Sequence, residues 1–258
     1  MIQAFGDINM LEKMGDFFDA RLDGYEDHQL STIESAREFY PFTAKCLPTA
    51  EGTYVLDLGC GTGLELDEFF ALNKTAKVTG IDLAAGMLDA LQKKFSGKDI
   101  TLINGSYFEV PFGEEKFDAA VSVESLHHFT KEEKIPLYTK LRAALKSGGY
   151  FILTDYFANS EDEETRFRQE LLQIRKEQKL SDDEFYHYDT PLTVEHEKEA
   201  LIVAGKCLES SILRTFLSLR KSFTARWRRW FYLTNFRLIG PIRLFSRSLS
   251  MKQGGEVF

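Results

Sequence analysis

Cysteine is scarce in this chain of 258 residues: Cys46, Cys60 and Cys207 are too few and too scattered for a disulfide framework. No Cys or His pair has zinc-ligand spacing, so the expectation is a reducing, cytoplasmic setting and no metal. Long apolar runs are also missing. No segment reaches the length of a membrane span, and the amino terminus lacks a basic stretch followed by an apolar one, so the expectation is a soluble protein with no transmembrane segment. Positive charge is short: 32 Lys and Arg against 40 Asp and Glu give a net charge of -8, too acidic to draw nucleic acid over the main body. The deficit is uneven. Residues 1–205 hold 21 basic and 38 acidic residues, whereas residues 206–258 hold eleven basic and two acidic.

What is present begins with Tyr54-Val55-Leu56-Asp57-Leu58-Gly59-Cys60-Gly61-Thr62-Gly63, an apolar strand that runs directly into a glycine loop. Residues without Cβ are needed where a chain bends sharply and where a ligand approaches the backbone. The glycines fall at the first, third and fifth positions, not the first, third and sixth of a dinucleotide loop. The Lys-Ser or Lys-Thr pair of a phosphate loop is absent, and no nearby basic residue could neutralise a pyrophosphate. These absences point to a nucleoside without phosphates. A second strand, Lys77-Val78-Thr79-Gly80-Ile81-Asp82-Leu83, ends in a carboxylate that can accept hydrogen bonds from both ribose hydroxyls. Leu83 and Met87 follow as candidates to pack on the base.

Two further segments complete an ordered set: Phe117–Val123 leading into Glu124-Ser125-Leu126-His127-His128-Phe129, and Leu145–Asp155 with its Gly148-Gly149 turn. From Tyr54 to Tyr156 the chain resembles the class I S-adenosylmethionine-dependent methyltransferases, in particular the small-molecule type with an Asp-Leu-Gly-Cys-Gly-Thr-Gly loop. The resemblance implies S-adenosyl-L-methionine as cofactor and a small-molecule methyl acceptor. It places Asp57, Gly59, Cys60, Gly61 and Gly63 beside the methionine end and Asp82 on the ribose. Ser106, next to Tyr107, stands where many relatives carry an acid for the adenine amine; a hydroxyl can still pair there, more weakly.

Methyl transfer from a sulfonium is an in-line displacement, so alignment can supply on the order of 7–11 kcal/mol and a general base matters less. His127 and His128, just past the fourth strand, and Tyr25 in the amino-terminal segment are the candidate catalytic residues. Each also has a plain packing reading, and the His pair marks the scaffold more than the reaction. His28 sits near Tyr25 in sequence. Glu124 and Tyr156 end strands, where they could orient an acceptor amine and an acceptor oxygen. Asp118 reads as a structural residue pairing with backbone.

The alternation of short β-rich runs with longer helical ones predicts one α/β domain: a Rossmann-like, doubly wound, mostly parallel seven-stranded sheet. Residues 1–50 read as a helical lid, with Ser31 and Glu34 as a capping box for a helix over 32–42. Residues 51–205 form the cofactor-binding domain, with a helical cover at 157–192 that presents Phe167, Leu171, Leu172 and Ile174. Thr193 caps a last helix that Gly205 ends. Residues 206–258 depart from the family, whose sheet closes with a terminal β-hairpin that is not evident here. They read as a basic aromatic helix around Arg220–Phe231 for an anionic membrane or RNA, as a substitute strand at 213–219, or as an ending altered by a reading-frame change. The alternative functions are an RNA or protein methyltransferase docking through this tail, and a cofactor-binding protein without turnover.

Overall fold

Strands buried on both faces are mostly apolar, and Tyr54–Leu58, Lys77–Asp82 and Phe117–Val123 among the segments singled out above are buried over most of their length. The computed structural model describes residues 10–206 and 232–235. Its sheet contains β1 (Tyr54–Leu58), β2 (Lys77–Asp82), β3 (Asp99–Asn104), β4 (Phe117–Val123), β5 (Leu145–Thr154) and β6 (Tyr232–Asn235), in the order β3-β2-β1-β4-β5-β6. The first five are parallel; β6 runs antiparallel to β5, with Tyr150 opposite Asn235. β1 lies between β2 and β4, where the strand order reverses, so a crevice opens beyond the carboxyl ends of β1 and β4.

Alternation along β1 decides which layer each side chain joins. Val55 packs with α3 (Ala36–Cys46), α4 (Leu64–Leu72) and α5 (Ala85–Lys94), while Leu56 and Leu58 pack on the side of α6 (Lys131–Ala144) and α8 (Val194–Lys206). Asp57 therefore shares the α3 and α4 side. Asp118 is structural as expected: it accepts from the Tyr54 amide at 2.8 Å and pairs with Lys146 at 2.9 Å.

The mostly parallel α/β sheet is as expected, with the terminal hairpin altered: among the described residues one antiparallel strand from the basic segment occupies the edge beside β5, for six strands in all. Several other expectations change. The substitute strand at 213–219 and the basic aromatic helix lie outside the described residues. The Ser31–Glu34 capping box does not form. Ser31 lies inside α2 (Tyr25–Thr32), where its hydroxyl donates to the Asp27 carbonyl, and α3 starts after Ser35, whose φ of 64° leaves no side-chain cap. α8 runs through Gly205 to Lys206; its amino end is capped by Thr193, which accepts from the His196 amide at 3.2 Å. α7 (Glu161–Gln178) covers loosely: Leu172 is 67% exposed, because the only side chain this helix fully buries is Glu164. Among the described residues no helix is long and apolar enough to cross a membrane.

Candidate active site

In the loop after β1, neighbours leave no room for a side chain at Gly59 and crowd Gly63. Gly59 has a φ of 70°, and a Cβ there would fall 2.0 Å from the Ser125 hydroxyl oxygen. Gly59→Ala is expected to destabilise the fold by at least about 2 kcal/mol, from strain and overpacking together, lowering the thermal midpoint by roughly 5 °C. An unchanged midpoint in a thermal melt would show that Ser125 moves aside freely.

Beneath this loop is a group of acids whose carboxyl oxygens are largely without hydrogen-bond donors. Asp57 is buried, and neither of its oxygens has a hydrogen-bond donor; Glu65 Oε1, Glu124 Oε1 and Thr62 Oγ1 are buried and unpartnered as well. Burial raises the pKa of the Asp57 carboxyl far above its ordinary value, and the adjoining Glu65 raises it further. Burial also lifts Glu65. Glu124, held at a φ of 52° at the end of β4, is pushed up to about 8 by burial, against the pull of His127. Asp82 has partners: it accepts from the Gly61 amide at 2.8 Å and from the Ala84 amide at 2.9 Å, which ties the second strand to the loop. Burial raises its pKa while these amides oppose the rise.

The amino-terminal helices cross this site. α1 (Met14–Asp19) is fixed to α5 by Asp19, which accepts from the Gly86 amide at 2.8 Å. α2 is fixed by Glu26, which shares Lys94 with Asp67 at 2.9 and 2.6 Å. Opposite, the Met14 amide donates to the Phe185 carbonyl, the His187 amide donates to Glu12, and the Phe17 and His187 rings stack at 3.5 Å. Tyr25 opens α2; its hydroxyl oxygen lies 3.9 Å from where a Cβ on Gly61 would stand. Burial raises the Tyr25 pKa, and the negative charges of Asp82, Glu65 and Glu124 add to this. His28 faces solvent on α2, 3.4 Å from Thr32, away from the chemistry. α3 belongs to the core, since it buries Phe39 and Tyr40, and Thr43 bonds Thr154 at 2.7 Å.

Past β4, a short 3-10 turn (Leu126–His128) carries the histidines. His127 Nδ1 lies 2.5 Å from Asp155 Oδ1, and its Nε2 lies 3.4 Å from Asp189 Oδ1. Burial opposes charge on this ring, but the two carboxylates outweigh it and keep the pKa well above the ordinary value. His128 Nδ1 donates to the Tyr188 carbonyl at 3.1 Å, and burial together with His127 drives its pKa to about 3. Neither ring therefore suits the role of free general base near neutral pH: one is held as a cation, the other is a very weak base.

Of the remaining candidates, Ser106 is buried and accepts from the Phe108 amide at 3.2 Å, and the Tyr107 hydroxyl reaches Ser125. Cys60 is buried against Gly80. Met87 is only 1% exposed, so Leu83, partly exposed, is left to offer apolar surface to a base. Tyr156, at the end of β5, has its ring 6.3 Å from that of His127. The sequence alone does not mark Glu65, Asp155 and Asp189 as site residues. Asp155 carried a usable signal, since it follows β5 as Asp82 ends β2. Glu65 carried none, because it lies between apolar residues on a helix that is buried on more than one side.

Residues 55–149 match the family model of a methyltransferase domain. Over 163 residues the chain is 30% identical to the biotin biosynthesis bifunctional protein BioHC of Teredinibacter turnerae, covering 60% of this chain and 26% of that protein. It is 33% identical over 126 residues to the 18S rRNA (guanine-N(7))-methyltransferase of Bos taurus, covering 45% and 43%. The chain thus spans less than half the length of either relative. Its fold is similar to that of Streptomyces venezuelae DesVI, with a TM-score of 0.56 at 16% identity, covering 83% of this chain and 98% of that one.

Proposed function

We propose, for a chain that belongs to the class I S-adenosylmethionine-dependent methyltransferase family, that it transfers a methyl group to a small-molecule acceptor enclosed between the glycine loop, the amino-terminal helices and the loop before α8. One observation carries the reading: buried, unpartnered carboxylates lie beneath a loop whose glycines at 59 and 63 leave no space for a side chain. Such oxygens are costly to bury alone, and a cationic ligand offsets that cost. S-adenosylmethionine, bound there, supplies an electrophilic methyl group on a sulfonium centre.

The chain's own residues hold and orient. Asp57 and Glu65 face the cationic end, and Gly59, Gly61 and Gly63 let the backbone come close. Asp82, with each oxygen already fixed by one amide, keeps lone pairs for the ribose hydroxyls. Ser106 serves the adenine amine and Leu83 the base face. Tyr25 closes the site from above and keeps water out. On the acceptor side Glu124, which titrates at about 8, is the group able to hold a proton near neutral pH. Alignment does most of the catalytic work. A small acceptor suits a site whose cover is fastened on both sides and whose first 205 residues are strongly acidic.

Calorimetric titration with S-adenosylhomocysteine is expected to give one saturable site, weakened at least about 10-fold in Asp82→Ala. Labelled methyl groups are expected to enter the small-molecule fraction of a cell extract. No binding by folded protein would end the methyltransferase reading. Label entering RNA alone would favour the second reading, an RNA methyltransferase, which the rRNA-modifying relative and the basic residues 206–258 support.

A further inference from the structure

We infer that His127, His128 and Asp189 form a binding site for one divalent transition-metal ion of the zinc class. Their ligand atoms all lie within 4.8 Å of one another, with His127 Nε2 and His128 Nδ1 each 3.4 Å from Asp189 Oδ1. Ligands about 2.0–2.1 Å from a tetrahedral ion stand roughly 3.4 Å apart. Both carboxylate–imidazole spacings are too long for hydrogen bonds of ordinary strength and match two edges of a tetrahedral shell, with the two imidazole nitrogens within 4.8 Å of each other. Two imidazoles and one carboxylate are the donor set of a borderline ion, since magnesium and calcium prefer oxygen throughout.

A second feature supports the site independently of the three ligands. Asp155 bonds His127 Nδ1 and so leaves Nε2 directed at Asp189; the other Asp155 oxygen is fixed by the Leu126 amide at 2.8 Å, and the Tyr156 amide adds a bond at 2.9 Å. A carboxylate behind an imidazole is the support that metal-ligating histidines commonly have. The rings themselves are buried with centroids 4.0 Å apart, whereas Asp189 is 49% exposed and leaves the ion a way in. An ion that takes both nitrogens shifts the His128 proton from Nδ1 to Nε2, ending its bond to the Tyr188 carbonyl, and releases the proton of His127 Nε2 to solvent. The two carboxylates, Asp155 and Asp189, then balance the dication.

The site stands or falls separately from methyl transfer. Zinc is titrated into the full-length protein, stripped with chelator, in competition with a chromogenic chelator; S-adenosylhomocysteine is titrated in parallel. The expected result is one zinc per chain, bound at least about 10-fold more weakly by Asp189→Asn and by His128→Ala, and about 10- to 100-fold more weakly by Asp155→Asn. Asp189→Asn is the decisive variant because its side chain is half exposed and its loss spares the core. Absence of stoichiometric zinc in protein that binds S-adenosylhomocysteine would overturn the site and leave a proton on His127 as its occupant. Equal affinity in wild type and Asp189→Asn would overturn it too. Zinc binding without S-adenosylhomocysteine binding would uphold the site and end the methyl-transfer reading instead.

Discussion

Asp57→Asn is expected to raise the thermal midpoint by about 3–6 °C at pH 8 and to weaken S-adenosylhomocysteine binding about 10- to 100-fold. The two effects share one cause. In the ligand-free protein the Asp57 carboxyl is buried without a donor and adjoins Glu65, so its ionised form is opposed by desolvation first and by like charge second. An amide of the same shape removes that charge and can donate to Glu65. A bound cation reverses the balance, because the carboxylate is then its charge-assisted partner. Stability given up for ligand affinity at one residue is a common feature of functional sites.

The pH dependence gives this prediction a second check. Folded-state pKa values of Asp57, Glu65 and Glu124 are all raised, so these three groups hold more protons in the folded protein than in the unfolded chain above about pH 4. Stability contributed by these groups is complete below the unfolded carboxyl range and is lost as pH rises through the folded values, with Glu124 setting a step near 8. Thermal melts from pH 5 to 9 are expected to show wild type losing stability upward, and Asp57→Asn losing less. A variant that melts lower than wild type at pH 8 would mean that Asp57 is already compensated, and the argument from orphaned acids would fail.

The parts of the site legible in sequence are those held by backbone and by local order. The glycine loop could be read because absent Cβ atoms have one strong reason, and β4 because a parallel strand buried on both faces is mostly apolar, here Phe117–Val123 interrupted only by Asp118 and Ser122. Asp82 could be read from its place at a strand end. The electrostatics could not. His127 is a charged ring because Asp155 and Asp189 arrive from 28 and 62 positions further along the chain, which no local pattern records. The capping box failed for a related reason: Ser31 and Glu34 have the right spacing, but Ser31 lies inside α2, and α3 starts after Ser35, four residues beyond Ser31 and in a left-handed conformation.

Glu197→Ala is expected to destabilise the fold by about 3–5 kcal/mol and to lower the thermal midpoint by roughly 10 °C. Lys134 on α6 and Glu197 on α8 form an ion pair at 2.6 Å with side chains 2% and 1% exposed, and the Tyr138 hydroxyl donates to the second Glu197 oxygen. Truncating Glu197 leaves an ammonium and a hydroxyl buried without an acceptor, and uncompensated burial of charge dominates the loss. The pair itself contributes far less than its removal suggests. Lys134→Met combined with Glu197→Leu replaces both charges by apolar side chains of similar volume, and is expected to melt within a few degrees of wild type. Chemical denaturation of the two single variants and the double variant separates these terms. A double variant as unstable as Glu197→Ala would show that the hydrogen bond from Tyr138, not the buried ammonium, governs how α8 is held to α6.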